Sequence, residues 1–279
     1  MTKRFLGFHQ AMYGDIAMST VAARILKKIE PDSHLTFVVG MDYAGIMPLL
    51  HQAEGIDDIY ITHSPKDGFD DYDLKWITTQ GFTHVFNPMQ DHDHRNPWFR
   101  HRNQPLETAH MHGLPTEGDD GKIRLVKWFP VPDLRDYVAI SPFPAWYAGI
   151  NNDKALTIER AQAVVDFVLS KGFKVLQVGH RDEPKLVGTV KHDTSYYDSV
   201  RNVLGCKGMV MGDSGLNWVL SGYDFPVVAW YGSRYYGAQW VHNIQPINPN
   251  AAYIHGEEVN QIPLDTLLQL IQTQILDRS

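Results

Sequence analysis

The stretch RFLGFHQAMYGDIAMSTVAARILKKIE, residues 4–30, joins a strand-like run to a helix-like run. Apolar and aromatic side chains dominate residues 4–9, which is typical of a strand. The apolar residues from Met18 to Ile29 recur at steps of three and four, which places one apolar stripe on a helix. Further strands are predicted at residues 35–39, 59–62 and 83–86, with helices at 43–53 and 71–80. This alternation predicts a parallel sheet with crossover helices.

The second half of the chain repeats the alternation. Its clearest helix covers residues 157–171, with an apolar face and with Gly172 just beyond its end. Strands are predicted at residues 137–140, 174–178, 208–211 and 226–231, and a closing helix at 264–276. The proline-rich residues 128–132 predict a boundary between an N-terminal domain, residues 1–131, and a C-terminal domain, residues 132–279. Both are expected to be doubly wound α/β domains.

The bulk composition limits the partners. The 279 residues carry a formal net charge of −7 with a pI near 6.0, so no overall positive field draws the protein to nucleic acid or to an anionic membrane. The single cysteine, Cys206, excludes an internal disulfide, and the N-terminus lacks the apolar core of a signal peptide. No apolar run approaches the roughly 20 residues that span a bilayer. We therefore expect a cytoplasmic protein whose contact with membranes, if any, is peripheral.

The unusual residues of the chain fall where predicted strands end. Open parallel sheets bind ligands outside the carboxyl ends of their strands, because helix N-termini with unpaired N–H groups gather there. The turn at residues 212–215 contains small residues that let a backbone approach an anion, and Ser214 either donates to that anion or caps the next helix. The sequence has no Walker motif and, after the first strand, no dinucleotide fingerprint.

Asp15 follows the first predicted strand and has two interpretations. An acidic residue in the first turn of a helix caps that helix and complements its dipole. A carboxylate at the mouth of a ligand cleft acts instead as a general base. The spacing of the residues does not distinguish these two roles.

Three segments resemble the heptosyltransferase-like glycosyltransferases, relatives of ADP-heptose:lipopolysaccharide heptosyltransferase. They are Gly14-Asp15 with the helix after it, the run VLQVG at residues 175–179, and GDSGLNWVLSGYDFPVVAWYGS at residues 212–233. The resemblance implies the GT-B architecture, in which two Rossmann-like domains face a cleft, with the acceptor on the N-terminal domain and the nucleotide-sugar on the C-terminal domain. It covers most of both halves and is weak across residues 87–130.

The resemblance implies an inverting transfer of a sugar from a nucleoside-diphosphate sugar to an acceptor hydroxyl, without a cofactor or a metal. Asp15 is similar to the base that takes the acceptor proton, Lys154 to a phosphate-binding lysine, and Glu183 to an acidic residue that contacts the ribose. The turn amides at residues 214–216 are similar to those that bind the diphosphate. The donor-binding set predicted from location and resemblance is Ser141, Lys154, Gly179, Arg181, Glu183, Asp213, Ser214, Gly215, Leu216 and Arg234. Asn217-Trp218 stands where the family usually carries a histidine, so heptose is not assumed.

Residues 87–127 have little periodicity and many His, Arg and Pro residues, which favours a functional loop within the N-terminal domain. Its arginines suit an anionic acceptor such as a phosphorylated lipopolysaccharide core. DNA with hydroxymethylated bases is an alternative acceptor, because Trp98, Phe99 and Trp128 could stack on an exposed base. The predicted acceptor-binding set is His9, Gln10, Tyr13, Gly14, Arg95, Arg100 and Arg102.

The histidines leave the role of residues 84–112 open. His92 with His94, and His110 with His112, have the H-x-H spacing of metal ligands. A solvated or acceptor-contacting loop is favoured, because no cysteine supports a metal site. Two other classes remain as alternatives, a nucleotide-sugar epimerase and a non-catalytic nucleotide-sugar-binding protein in which Asp15 is only a cap. No obligate protein partner is inferred.

Overall fold

The computed structural model describes residues 2–8, 12–51, 53–63, 69–86, 104–125, 129–144, 154–236 and 244–278. The chain divides into two compact units, each with its own parallel sheet. Unit 1 contains residues 1–129 with 221–223, and unit 2 contains residues 130–220 with 224–279.

Unit 1 is built on a four-stranded parallel sheet. Its elements are β1 (Arg4–Phe8), α1 (Tyr13–Ile29), β2 (His34–Gly40), α2 (Met47–Leu50), β3 (Asp58–Thr62), α3 (Asp71–Thr79), β4 (His84–Phe86) and α4 (Gln104–Met111). The strand order is β3-β2-β1-β4, so β1 lies inside the sheet between β2 and β4. The four strands predicted for this half of the chain are confirmed.

Helix α1 is buried more completely than one apolar stripe requires. Every residue from Gly14 to Leu26 is buried, including Arg24. A crossover helix covers the sheet with one face, and α4 packs along α1 as well. The prediction of a single buried stripe was therefore too narrow.

The predicted helix at residues 43–53 is wrong in length and in type. The chain forms a 3-10 helix at Met41–Ile46 and then the single turn of α2. Pro48 lies in the first turn of α2 and has no N–H group for an intrahelical hydrogen bond. The 3-10 helix therefore does not continue as one long helix, and the separate α2 begins beside this proline.

A buried ion pair ties α1 to the segment after α4. The Arg24 guanidinium donates to the Asp119 carboxylate at 2.6 and 3.3 Å and to the carbonyl oxygen of Lys122 at 2.8 Å. Lys28 and the amide of Gly121 also donate to Asp119, at 2.7 and 3.0 Å. Burial raises the pKa of Asp119, but the hydrogen bonds from Arg24 and Lys28 outweigh it and hold that pKa well below its usual range.

Unit 2 is built on a six-stranded parallel sheet of order β10-β9-β8-β5-β6-β7. Its elements are β5 (Tyr137–Ser141), α5 (Ile158–Ser170), β6 (Lys174–Gln177), β7 (Thr189–Lys191), α6 (Tyr196–Gly205), β8 (Met209–Gly212), α7 (Gly215–Ser221), β9 (Val227–Gly232), α8 (Ser233–Tyr236), β10 (Ala251–Gly256) and α9 (Leu264–Ile271). The four predicted strands are confirmed as β5, β6, β8 and β9. The sequence prediction missed β7 and β10, the two edge strands.

The helices of unit 2 follow their capping signals. Helix α5 starts after Thr157, whose side chain accepts a hydrogen bond from the amide of Arg160 at 3.3 Å, as a helix cap does. Gly172 follows its end with φ 85°, a value that suits glycine. The predicted closing helix is α-helical only in α9, and its last residues, Gln272–Leu276, form a π-helical turn. None of the helices in the described ranges is long and apolar enough to cross a membrane.

In both sheets, the order in which strands are added reverses beside the first strand. In unit 1 the chain runs outward from β1 to β2 and β3 before β4 pairs with the other side of β1, and in unit 2 β8 pairs with the other side of β5 in the same way. The order of unit 2, read from β7 to β10, is the 3-2-1-4-5-6 order of a Rossmann domain. The predicted fold class, two Rossmann-like parallel-sheet domains, is confirmed. Ligands of such sheets bind where the direction reverses, at the carboxyl ends of the strands.

Candidate functional site

The reversal point of unit 2 brings several predicted donor-binding residues together. Ser141 is the last residue of β5 and is buried, and its partner in the sheet register is Met211 of β8. Asp213 and Ser214 follow the end of β8. Ser141 and the turn at residues 212–215 therefore lie at the same edge of the sheet.

An ion pair joins Lys154 to this turn. The Lys154 ammonium lies 2.7 Å from a carboxylate oxygen of Asp213, and the two side chains are 23% and 7% exposed. The main chain of both residues is held by Trp230 of β9, whose indole N–H donates to the carbonyl oxygen of Lys154 at 2.8 Å and whose carbonyl oxygen accepts from the amide of Asp213 at 3.2 Å. Trp230 is fully buried, so the backbone on both sides of the ion pair rests on a fixed support.

Gly212 permits this close approach. A Cβ atom at this position would lie 2.6 Å from the carbonyl oxygen of Lys154, 2.7 Å from Pro144 and 2.8 Å from the indole nitrogen of Trp230. Contacts below 3.0 Å require the neighbouring atoms to move. A glycine is therefore needed where β8 ends.

The hydroxyl of Ser214 has no hydrogen-bond partner within the described ranges, although its oxygen is buried. The alternative in which this side chain caps α7 is therefore wrong, because a cap requires that oxygen to accept from a helix amide. A buried hydroxyl without a partner is costly, and it is suited to donate to a ligand oxygen. Gly215 and Leu216 follow as the first residues of α7.

Glu183 forms a second polar group, in the turn after β6. One carboxylate oxygen accepts from the amide of His180 at 2.8 Å, and the other is buried without a partner among the described residues. Burial raises the pKa of Glu183 to about 7, against the opposing effects of the His180 hydrogen bond and of Lys191. A Cβ atom at Gly179 would lie 2.1 Å from this carboxylate, so the glycine makes room for Glu183.

Two glutamines hold the segment that follows Glu183. The Gln177 side chain donates to the carbonyl oxygen of Pro184 at 2.7 Å and accepts from the amide of Leu186 at 2.9 Å. The Gln162 side chain accepts from the amide of Val187 at 2.8 Å and donates to the carbonyl oxygen of the same residue at 3.1 Å. These side chains take the place of strand-to-strand hydrogen bonds on the way to β7.

The two predicted arginines contact acidic residues outside the predicted set. The exposed Arg181 lies 3.8 Å from a carboxylate oxygen of Asp182. Arg234, also exposed, lies 2.6 Å from a carboxylate oxygen of Glu258, beyond the end of β10. Their roles in donor binding stay predictions.

In unit 1, Asp15 lies in the first turn of α1, the helix that follows β1 in the chain, and is 8% exposed. Met12 occupies the cap position and makes no side-chain capping hydrogen bond. Gly14 is buried, and Tyr13 is half-buried. The predicted acceptor residues His9, Gln10, Arg95, Arg100 and Arg102 lie outside the described residues.

The described ranges contain no group of three or more His, Cys, Asp or Glu residues that could hold a metal ion. Of the two predicted H-x-H pairs, His110 lies in α4 and His112 follows that helix, whereas His92 and His94 lie outside the described residues.

The solved structures that align with this chain include several glycosyltransferases. The family 9 glycosyl transferase from Veillonella parvula aligns over 99% of this chain and 98% of its own, with a TM-score of 0.73 and 15% identity. E. coli ADP-heptose lipopolysaccharide heptosyltransferase II aligns over 98% of both chains, with a TM-score of 0.68 and 12% identity. This chain has the heptosyltransferase fold. No protein-family model matches the sequence, and no curated protein matches it.

A third structure with the heptosyltransferase fold was determined with a nucleotide-sugar analogue. It is an E. coli heptosyltransferase with ADP-2-deoxy-2-fluoro heptose, which aligns over 96% of this chain and 99% of its own, with a TM-score of 0.66 and 14% identity. The resemblance noted from short sequence motifs is therefore confirmed at the level of the fold.

Asn217 is buried and has a structural role in unit 2. Its amide group donates to the hydroxyl of Tyr231 at 2.7 Å, and both side chains are fully buried. Burial, then Asp213 and Tyr253, raise the pKa of Tyr231 well above its usual value, so this hydroxyl stays neutral. Sequence reasoning missed the supporting roles of Trp230 and Tyr231, which lie near the end of β9, just before Gly232.

Proposed function

We propose that this protein is an inverting glycosyltransferase that moves a sugar from a nucleoside-diphosphate sugar to a hydroxyl of a glycan acceptor. One observation carries the proposal: the reversal point of unit 2 combines a partly exposed ammonium, that of Lys154, with the Ser214 hydroxyl, which has no partner within the described ranges. A diphosphate needs a cation and hydrogen-bond donors. The fold shared with nucleotide-sugar-dependent enzymes supports the same function.

The donor half of the reaction belongs to unit 2. As the bond between the anomeric carbon and the diphosphate oxygen breaks, negative charge grows on the leaving group. Lys154, the Ser214 hydroxyl and the turn amides at residues 214–216 stabilise that charge. The Gly212 turn and Trp230 keep the lysine and the turn in place before the donor arrives, which lowers the cost of reorganisation.

The acceptor half belongs to Asp15. A hydroxyl is a poor nucleophile until a base takes its proton. In the proposed step the acceptor oxygen bonds to the anomeric carbon from the face opposite the diphosphate, and the proton passes to the Asp15 carboxylate. The products are an inverted glycoside and a nucleoside diphosphate, and no covalent enzyme intermediate is required.

Substitution of Asp15 by Asn tests the proposal, because it keeps the size of the side chain and removes the base. A panel of ADP, UDP, GDP and CDP first identifies the nucleotide by thermal stabilisation. Release of that nucleotide from its sugar donors is then measured with truncated lipopolysaccharide core and with hydroxymethylated DNA as acceptors. We expect Asp15→Asn to lower turnover about 10³-fold and to leave nucleotide affinity unchanged. Retained turnover contradicts the base assignment, and a panel without stabilisation contradicts the donor class.

A further inference from the structure

An aromatic and thioether cluster lies beside Asp15 in unit 1, at the carboxyl ends of β1 and β2. The rings of Tyr13 and Tyr43 meet edge to face with their centroids 5.2 Å apart. The Tyr43 hydroxyl lies 3.9 Å from the sulfur of Met12, and the Tyr13 hydroxyl lies 3.4 Å from the carbonyl oxygen of Asp42. We call Met12, Tyr13 and Tyr43 the platform.

Apolar surface is exposed at Met12 of the platform and at Met41 beside it, whereas Tyr13 and Tyr43 are half-buried. Met12 is 48% exposed, and Met41, which starts the 3-10 helix containing Tyr43, is 48% exposed as well. Met12 also has a φ of 62°, in the left-handed region that a side chain rarely adopts. Backbone strain of this kind collects at ligand sites, where surrounding contacts hold it in place. Asp15 is three residues further along, in the same helical turn.

Among the described residues, the charged side chains next to the platform in sequence are the carboxylates of Asp15 and Asp42. Burial raises the pKa of Tyr13, and Tyr43 and Asp42 raise it further. The Tyr13 phenol is therefore neutral, and the Asp42 carboxylate lies close enough to affect it. With Asp15 in the same turn, this surface opposes a phosphate or a carboxylate that approaches it. It suits an uncharged ligand.

We propose that the platform binds the C–H face of an uncharged sugar ring, and so selects the acceptor whose hydroxyl meets Asp15. The proposal rests on the proposed function and adds the chemistry of the acceptor end. The C–H groups of a sugar ring are weakly positive and pack against the electron-rich faces of tyrosine rings and against polarisable sulfur. Anionic groups of a larger acceptor then bind away from the platform.

Saturation-transfer NMR with simple sugars tests this directly and needs no donor. The probes are methyl α-mannoside, methyl α-glucoside, methyl α-galactoside and their 6-phosphates, mixed with the 279-residue chain. We expect transfer to the ring C–H protons of at least one neutral glycoside, and weaker transfer to its 6-phosphate. Tyr43→Ala should reduce the transfer at least fivefold. Tyr72→Ala removes an exposed tyrosine from α3 of the same unit and should leave the transfer unchanged.

A second variant guards against misfolding. Met12→Gly removes the thioether and suits a positive φ, so it should keep or raise thermal stability while weakening the transfer. No transfer from the wild-type protein, equal transfer from Tyr43→Ala and wild type, or preference for the 6-phosphates overturns the proposal. The nucleotide panel on the same samples separates the two hypotheses: nucleotide binding without glycoside binding defeats the platform alone, and glycoside binding without nucleotide binding defeats the transferase.

Discussion

Two ion pairs in this molecule, one in each unit, have similar chemistry and different surroundings. In unit 1 the side chains of Arg24 and Asp119 are 1% and 4% exposed, and the protein supplies a full set of hydrogen bonds to the carboxylate. In unit 2 the side chain of Lys154 is 23% exposed beside Asp213, at the carboxyl end of β8. An enclosed pair holds two segments together, whereas a partly open ammonium at a strand end is able to exchange its partner for a ligand. Exposure and position in the sheet separate the two roles.

Breaking the enclosed pair should give the largest effect. Asp119→Ala leaves the Arg24 guanidinium buried without its carboxylate, which should lower the free energy of unfolding of unit 1 by about 3–5 kcal/mol. Hydrogen exchange of the α1 amides measures it. Asp120→Ala is the matched control, because Asp120 lies 3.6 Å from Arg24 with its side chain 45% exposed, and should cost at most about 1 kcal/mol. Equal effects of the two substitutions would show that enclosure does not matter.

The buried carboxylate of Glu183, which forms no ion pair within the described ranges, sharpens the comparison. The pKa of Glu183 is raised from 4.5 to about 7 by burial, so the neutral acid contributes stability below pH 4.5 that is lost as the pH rises through about 7. Glu183→Gln cannot ionise. Between pH 4.5 and pH 8, its free energy of unfolding should therefore rise relative to that of the wild type by about 3 kcal/mol. Urea unfolding of unit 2 at several pH values measures the difference, with the exposed Glu257→Gln as control. A difference independent of pH contradicts the prediction.

Opening the second ion pair should change binding more than stability. Lys154→Met removes the ammonium, and we expect the dissociation constant for the nucleoside diphosphate to rise by about 10- to 100-fold, the worth of a charged hydrogen bond. Calorimetric titration measures it. Lys174 forms an exposed pair with Asp136 at the amino end of the same sheet, 2.6 Å apart, so Lys174→Met is the control. An equal loss of affinity in both variants would show that Lys154 acts only through the overall charge of the protein and not through a contact with the ligand.

The strands inside each sheet could be predicted because burial on both faces demands apolar residues. β9, for example, is buried at every position from Val227 to Gly232. The edge strands of unit 2 gave no such signal, although β3 and β4, the edge strands of unit 1, were predicted. β7 has three residues, of which Thr189 is buried and Val190 is exposed, and every residue of β10 is only partly buried. Their pairing depends on neighbours distant in sequence, which a local pattern does not contain.

Part of the candidate site was visible in the sequence, and part was not. Small residues after a strand pointed to the 212–215 turn, because backbone geometry at such turns is a local property. The pairing of Lys154 with Asp213 joins residues far apart in the chain, and the failure of Ser214 to cap α7 depends on its surroundings. Of the platform, Tyr13 was in the predicted acceptor-binding set, whereas Met12 and Tyr43 were not, and nothing in the sequence indicated the strained backbone at Met12.

The glutamine contacts at Pro184, Leu186 and Val187 have a further consequence. Because side chains satisfy these backbone groups, the edge strand β7 contains only three residues. Long, flat rims with apolar residues invite strands of other molecules to add on, and Val187 and Val190 are both exposed there. By keeping the edge strand short, the side chains of Gln162 and Gln177 oppose edge-to-edge aggregation at this sheet edge.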